Sequence, residues 1–315
     1  MSVRRKISAT AMAFALGVGG LAATASTAQA QPARPTVRAA TVAASTAAEQ
    51  TAQLAAAPPR QDSAARPVIF VHGINGLANT NCAAKWKNAM QAIKGSGWRG
   101  ELVTFGYYNR DRNCTFQHPG TLNTPLETIG LDLAWDIYNH YTLRGMPVDI
   151  IAHSMGGLIT RYALDAVAKH VHGAPPKLYV EDVATLGTPH DGANQRYTDL
   201  CKFKLQCRQM APGSDFLKSL GRNPQSAMGT DWTLIGSGDD KYVPLPSAID
   251  LAHSNWGHKV EYPWFDGLSH TDLWQQSKGK YAQLYWNFYD KHWHRTTGPA
   301  PLTVAKNGIY WWWRW

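Results

Sequence analysis

Val148-Asp149-Ile150-Ile151-Ala152-His153-Ser154-Met155-Gly156-Gly157-Leu158 is the stretch of this 315-residue chain on which the fold turns. Val148 to Ala152 is a short apolar-rich run, the pattern of a strand buried on both faces of a parallel sheet. From Leu158 to about Val171 the apolar residues return at helical spacing. Ser154 therefore sits where a strand turns abruptly into a helix. Small residues two before and two after it, Ala152 and Gly156, let strand and helix approach and push the serine outward. A serine hydroxyl is a weak nucleophile at neutral pH, so unobstructed presentation to a base is what such chemistry requires. The helix that follows aims its N-terminal dipole at any negative charge developing there. Serine also caps helices well. The buried strand before Ser154 favours the nucleophile over the cap.

Working outward, strand and helix alternate. Val68-Ile69-Phe70-Val71 is a continuous apolar run ending in His72-Gly73-Ile74-Asn75-Gly76. Leu102 to Phe105, Val183 to Leu186, Trp232 to Ile235 and Lys259 to Phe265 read as further strands. Helical spacing marks Cys82 to Ile93, Pro125 to Tyr141 and a closing helix from about Thr271 to Trp293. This alternation predicts an α/β fold, a mostly parallel sheet with helices on both faces. Ala193 to Met228 breaks the rhythm and reads as an excursion over the sheet edge, carrying part of a site.

The glycine-rich loop after the first strand and the Ala-His-Ser-Met-Gly turn together resemble the α/β-hydrolase superfamily. Within it, the chain resembles secreted bacterial lipases and esterases of the small-lipase type, from about Pro67 to Trp293. The resemblance implies Ser154 as nucleophile, an acid and then a histidine later in the chain, an acyl-enzyme intermediate and no cofactor. It also implies backbone N–H donors at Ile74 and Met155 for the oxyanion of a tetrahedral intermediate. The loop after Trp232 to Ile235 holds two adjacent candidates for the acid. A D-x-x-V pattern ending at Val243 favours Asp240, with Asp239 left open. His270 fits the base, with His258 and His253 as alternatives. His72 and His153 read as packing or orienting residues, and Gly187-Thr188-Pro189-His190-Asp191-Gly192 as a turn beside the acyl pocket.

Arg4, Arg5 and Lys6, the apolar stretch Ala11 to Ala23 and Ala28-Gln29-Ala30 have the form of a signal peptide over residues 1–30. Residues 31–65, rich in Ala, Thr and Pro, read as a flexible leader or linker. Residues 66–296 then form the catalytic domain, and 297–315 an aromatic tail with Tyr310, Trp311, Trp312, Trp313 and Trp315. No later segment is long and apolar enough to span a bilayer. A secreted, soluble monomer without stable membrane insertion is expected.

Four cysteines in an exported chain predict two disulfides. Three pairings are possible. Spacing favours Cys82 with Cys114 and Cys201 with Cys207, contributing roughly 3–4 and roughly 2 kcal/mol in the chain-entropy model. No C-x2-C pair or close Cys/His cluster is present, so no metal site is expected. The formal charge of +9 comes from 31 basic and 22 acidic residues. The basic residues are scattered, which argues against nucleic acid as a partner.

The expected function is carboxylic-ester hydrolysis, on acylglycerols or other lipid esters, in part at an oil–water surface. An aliphatic polyester depolymerase and a non-catalytic binding protein on the same scaffold are the alternatives. The aromatic excess, including Trp256, Trp264, Trp274, Trp286 and Trp293, serves either such a surface or the core.

Overall fold

The apolar runs become strands because helices cover both faces of the sheet they form. The computed structural model describes residues 56–253 and 256–311. Among these residues nine strands make one sheet in the order β3-β2-β1-β4-β5-β6-β7-β8-β9. They are β1 Val68–Val71, β2 Leu102–Gly106, β3 Phe116–Gln117, β4 Val148–His153, β5 Val180–Leu186, β6 Asp231–Ser237, β7 His258–Tyr262, β8 Lys280–Asn287 and β9 His292–Pro299. Pairing is parallel from β1 to β7 and antiparallel for β8 and β9.

Alternate side chains of one strand enter different cores. Ile69 and Val71 pack with helices α2 (Leu126–His140) and α3 (Met155–Ala168). Val68 and Phe70 pack with α1 (Cys82–Gly95) and with Leu302, Val304 and Ala305 near the C-terminus. Asn81 caps α1, its side chain accepting from the Ala84 N–H at 3.2 Å.

Between β5 and β6 the chain makes three short helices, α4 (Gln195–Leu200), α5 (Leu205–Gln209) and α6 (Asp215–Ser219), where the excursion is expected. Buried Gln206 ties this segment down. Its Oε1 accepts from the Tyr108 hydroxyl at 2.7 Å, and its Nε2 donates to the Thr121 carbonyl at 2.9 Å. The cysteines pair as Cys82–Cys114 and Cys201–Cys207. No helix among the described residues is long and apolar enough to cross a membrane.

The closing helix expected from Thr271 to Trp293 is replaced by other structure. After α7 (Leu245–Ala248), the helix α8 covers only Asp272–Gln275. Gly279, at φ +99, then turns the chain into the β8–β9 hairpin. Tyr281, Gln283 and Tyr285 alternate along β8. The two tyrosines pack on the α1-side core, and Gln283 donates to the Tyr262 hydroxyl at 2.9 Å. Aromatic residues suit such a pleated surface, and β7 needs an edge partner. Lys291, at φ +58, closes the hairpin turn. The strand expected from Lys259 to Phe265 is shorter, because Trp264 and Phe265 leave β7 for an exposed 3₁₀ turn, Trp264–Asp266.

The domain boundary at 296 also moves. β9 continues to Pro299, and helix α9 (Pro301–Gly308) buries Leu302, Val304 and Ala305, so the expected tail begins as part of the core. Tyr310 meets Trp98 edge-on at 6.3 Å. Upstream, Arg60 and Arg66 bind carboxylates of β5, so the packed chain starts before residue 66. The signal-peptide assignment, residues 31–55 of the leader, and Trp312, Trp313 and Trp315 lie outside the described residues.

Candidate active site

The β4–α3 turn is as tight as its small residues anticipate. Ser154 stands at φ 56, ψ −129, a strained conformation for a residue with a side chain. Its N–H donates to the Leu186 carbonyl at 2.8 Å, and the Thr188 hydroxyl donates to its carbonyl at 2.9 Å. The surrounding glycines are required by space. A Cβ on Gly73 would lie 2.6 Å from the Ser154 Cβ, and one on Gly156 would lie 2.4 Å from the Val71 carbonyl oxygen. Gly73→Ala is therefore expected to push Ser154 out of place and lower kcat/KM on a dissolved ester by about 10²-fold, the cost of an ångström-scale displacement. Wild-type turnover in this variant would mean that the loop yields freely.

β6 and β7 deliver two further side chains to the same end of the sheet. His270 Nδ1 is 2.6 Å from Asp240 Oδ2. The other oxygen, Oδ1, accepts from the Tyr242 and Val243 N–H groups at 2.8 and 2.9 Å, which accounts for the D-x-x-V spacing. Gly187, at φ +58, leaves room for the pair, since a Cβ there would lie 3.1 Å from both Asp240 Oδ2 and His270 Nδ1. On the strand side, the Ser237 hydroxyl donates to the Leu268 carbonyl at 2.6 Å and anchors the loop carrying His270. His153 lies against His270 with ring centres 4.5 Å apart, its Nε2 donating to the His270 carbonyl at 3.1 Å.

The other candidates lie elsewhere. Asp239 is partly exposed, and its N–H bonds the Ser237 hydroxyl. His258 opens β7 at the far end of the sheet, near Asp231 at 3.5 Å, and His253 pairs with Asp250 at 2.9 Å.

The Ile74 loop rests on a network that sequence reading missed. His72 Nε2 lies 3.0 Å from Asp111 Oδ2, and the same carboxylate accepts from the Tyr107, Tyr108 and Thr80 N–H groups. Burial pushes the Asp111 carboxyl up, but hydrogen bonds from His72 and these amides outweigh it and hold it below its ordinary range. The Tyr107 ring stacks on His72 at 4.1 Å, and its hydroxyl donates to the His72 and Gly73 carbonyls. Only the run of polar and aromatic residues after β2, Tyr107-Tyr108-Asn109-Arg110-Asp111, marks this in the sequence. Met155 is the first residue of α3, so its N–H has no intrahelical acceptor.

Ser154 and His270 line one open cavity of about 330 Å³ with Ile74, Lys85, Tyr197, Met210, Tyr242 and Trp274 among its walls. Leu77, Leu200, Phe203, Trp264 and Phe265 are exposed in the segments that follow the carboxyl ends of β1, β5 and β7, at the same end of the sheet. Asp191, Asp250 and His253 form the one group among the described residues with metal-ligand geometry, but Arg222 already pairs with both carboxylates.

Lys85 reaches the cavity from α1. Its Nζ stands 3.7 Å from the centre of the Trp274 ring and 3.5 Å from His153 Nδ1. Burial lowers its pKa to about 7. Between that value and the unfolded 10.5 the unfolded chain holds a proton that the folded one lacks, so stability rises with pH across this window. Relative to Lys85→Met, the wild-type denaturation midpoint should climb from pH 7 to pH 9.5. A constant difference between the two would contradict it.

Residues 62–211 match the model of the PGAP1-like alpha/beta domain. With the parallel sheet and the strained strand-to-helix serine, this decides the fold. The chain has the α/β-hydrolase fold. Similar solved structures include Aspergillus fumigatus lipase B, 19% identical over 61% of this chain and 42% of that one, with a TM-score of 0.43. Bacillus licheniformis lipase BlEst2 is similar in its propeptide form, at 22% identity, 61% and 45% coverage and TM-score 0.40. Its mature form gives 21%, 62%, 74% and 0.38. The chain thus spans less than half the length of the first two chains. No curated protein matches it.

Proposed function

We propose that this chain is a secreted serine hydrolase of carboxylic esters, with lipid esters as its substrate class. The observation that carries the reading is the 2.6 Å hydrogen bond between buried Asp240 and His270, which lines the same cavity as strained Ser154. In this reading His270 Nε2 takes the Ser154 proton as Oγ attacks the ester carbonyl, and the imidazolium hands that proton to the leaving alcohol. Asp240 accepts from Nδ1–H, fixes the tautomer and stabilises the charged ring. The N–H groups of Ile74 and Met155 stabilise the oxyanion, each such donor being worth about 3–4 kcal/mol in the transition state. Water then repeats the sequence on the acyl-enzyme and frees the acid.

The exposed apolar side chains at the cavity's end of the sheet suit a substrate presented at a lipid surface. Export is supported by the A-x-A site after a basic and apolar leader and by two disulfides. A fluorophosphonate probe tests the reading directly. Its label should be found on the peptide containing Ser154, in the intact protein only. An unlabelled folded protein would favour the binding-scaffold alternative. Rates across acyl chain lengths, on dissolved and emulsified esters, separate lipid from short-ester and polyester substrates.

A further inference from the structure

We infer that the cavity accepts esters carrying an anionic group, and that Lys85 is the residue that selects them. The inference deepens the ester-hydrolase reading and rests on it for the reaction, though not for binding. The walls hold one lysine and no carboxylate. Apart from Ser154, His153, Thr271 and His270, they are apolar or aromatic, with Ile74, Pro189, Met210 and Val243 among them. Such a lining fits an apolar ester arm, and a single cation in it calls for a single negative charge.

Below its pKa of about 7 Lys85 is an ammonium, and its neighbours leave that charge uncompensated. The His270 carbonyl can only accept, so His153 Nε2 is the donor to it and Nδ1 is an acceptor for the Lys85 ammonium. His153 is deeply buried and held neutral by burial first and by Lys85 second. The Trp274 face attracts the ammonium through its quadrupole. Neither neighbour carries a negative charge, and no acidic side chain opposes the desolvation that lowers the Lys85 pKa. A carboxylate, sulfonate or phosphate in the cavity would supply the missing partner through charge-assisted hydrogen bonds. Among the described residues His153 is the hydrogen-bond acceptor facing Lys85 Nζ, which leaves further N–H groups to turn to that ligand.

Two pairs of esters test this and locate the anion. Monoethyl adipate against diethyl adipate places the charge on the acyl arm. The 4-butyryloxybenzenesulfonate ion against 4-butyryloxybenzamide places it on the alcohol arm. Kd is measured on the full-length Ser154→Ala protein, which needs no turnover. The anionic member of at least one pair should bind about tenfold or more tightly than its neutral partner. That advantage should vanish on adding Lys85→Gln and persist on adding Lys85→Arg. A purely structural role for Lys85 would weaken both members of a pair alike. Equal Kd values within both pairs, no binding by any member, or an advantage that survives Lys85→Gln overturns the inference. Failure of the hydrolase reading shows separately, as absence of the fluorophosphonate label from the wild-type protein.

Discussion

Ser154→Ala is expected to lower turnover of a dissolved p-nitrophenyl ester by about 10⁶-fold, and Asp240→Asn by about 10⁴-fold, the losses known for serine-protease triads. Asparagine keeps the shape of Asp240, including acceptance from the Tyr242 and Val243 amides by its oxygen. It then turns an NH₂ toward His270 Nδ1, which selects the imidazole tautomer that cannot take the serine proton. Asp239→Asn changes only a partly exposed neighbouring charge, so it should cost tenfold or less. Measuring the three variants on one ester, with a thermal melt for each, checks the assignment. A larger loss from Asp239→Asn than from Asp240→Asn would reverse it. Substantial turnover by Ser154→Ala would remove the nucleophile.

Arg66→Ala should destabilise the fold by about 3–5 kcal/mol, the cost of stripping the partner from buried charges. Arg66 reaches Asp149 at 2.9 Å, Glu181 at 3.0 Å, Asp182 at 3.1 Å and the Ile309 carbonyl at 3.2 Å, and it also bonds the Gln61 carbonyl. One guanidinium thus joins the segment before β1, strands β4 and β5 and the end of α9. Among the described residues, Arg60 is the cation that remains paired with those carboxylates in the variant, 3.1 Å from Asp182. The defect should depend on pH. Burial raises the Asp149 pKa to about 7 against the pull of Arg66. Below that value the folded chain therefore holds a proton that the unfolded one releases near pH 4, and stability falls as pH rises through this window. Removing the guanidinium raises the folded pKa further, so the deficit should be larger at pH 8 than at pH 5. Denaturant midpoints at both values test this, and a deficit that is equal or larger at pH 5 would count against it.

How far the site was legible follows from where its information lies. The serine turn is a local device. A buried strand, a serine between small residues and a helix are neighbours in the chain, and close packing forbids much else at Gly73 and Gly156. The D-x-x-V pattern was legible for the same reason, since Asp240 satisfies two amides within three residues of itself. The Asp111 network was not, because a buried carboxylate bonding His72 across 39 residues leaves no periodic trace.

The C-terminal third marks the limit most clearly. Thr271 to Trp293 carries enough apolar residues for a helix, and only Gly279 argues locally against one. The unpaired edge of β7 decided for a hairpin, and that edge exists only once the parallel sheet is assembled. By itself, the sequence determined the buried strands, the serine turn and the short-range loops, because steric limits and solvent exclusion act on adjacent residues. Only the tertiary structure decided the hairpin, the Arg66 clasp, the bond from His270 to Asp240 rather than Asp239, and the arrival of Lys85 in the cavity. Each of these is an encounter between distant segments, set by backbone direction and burial once the sheet has formed.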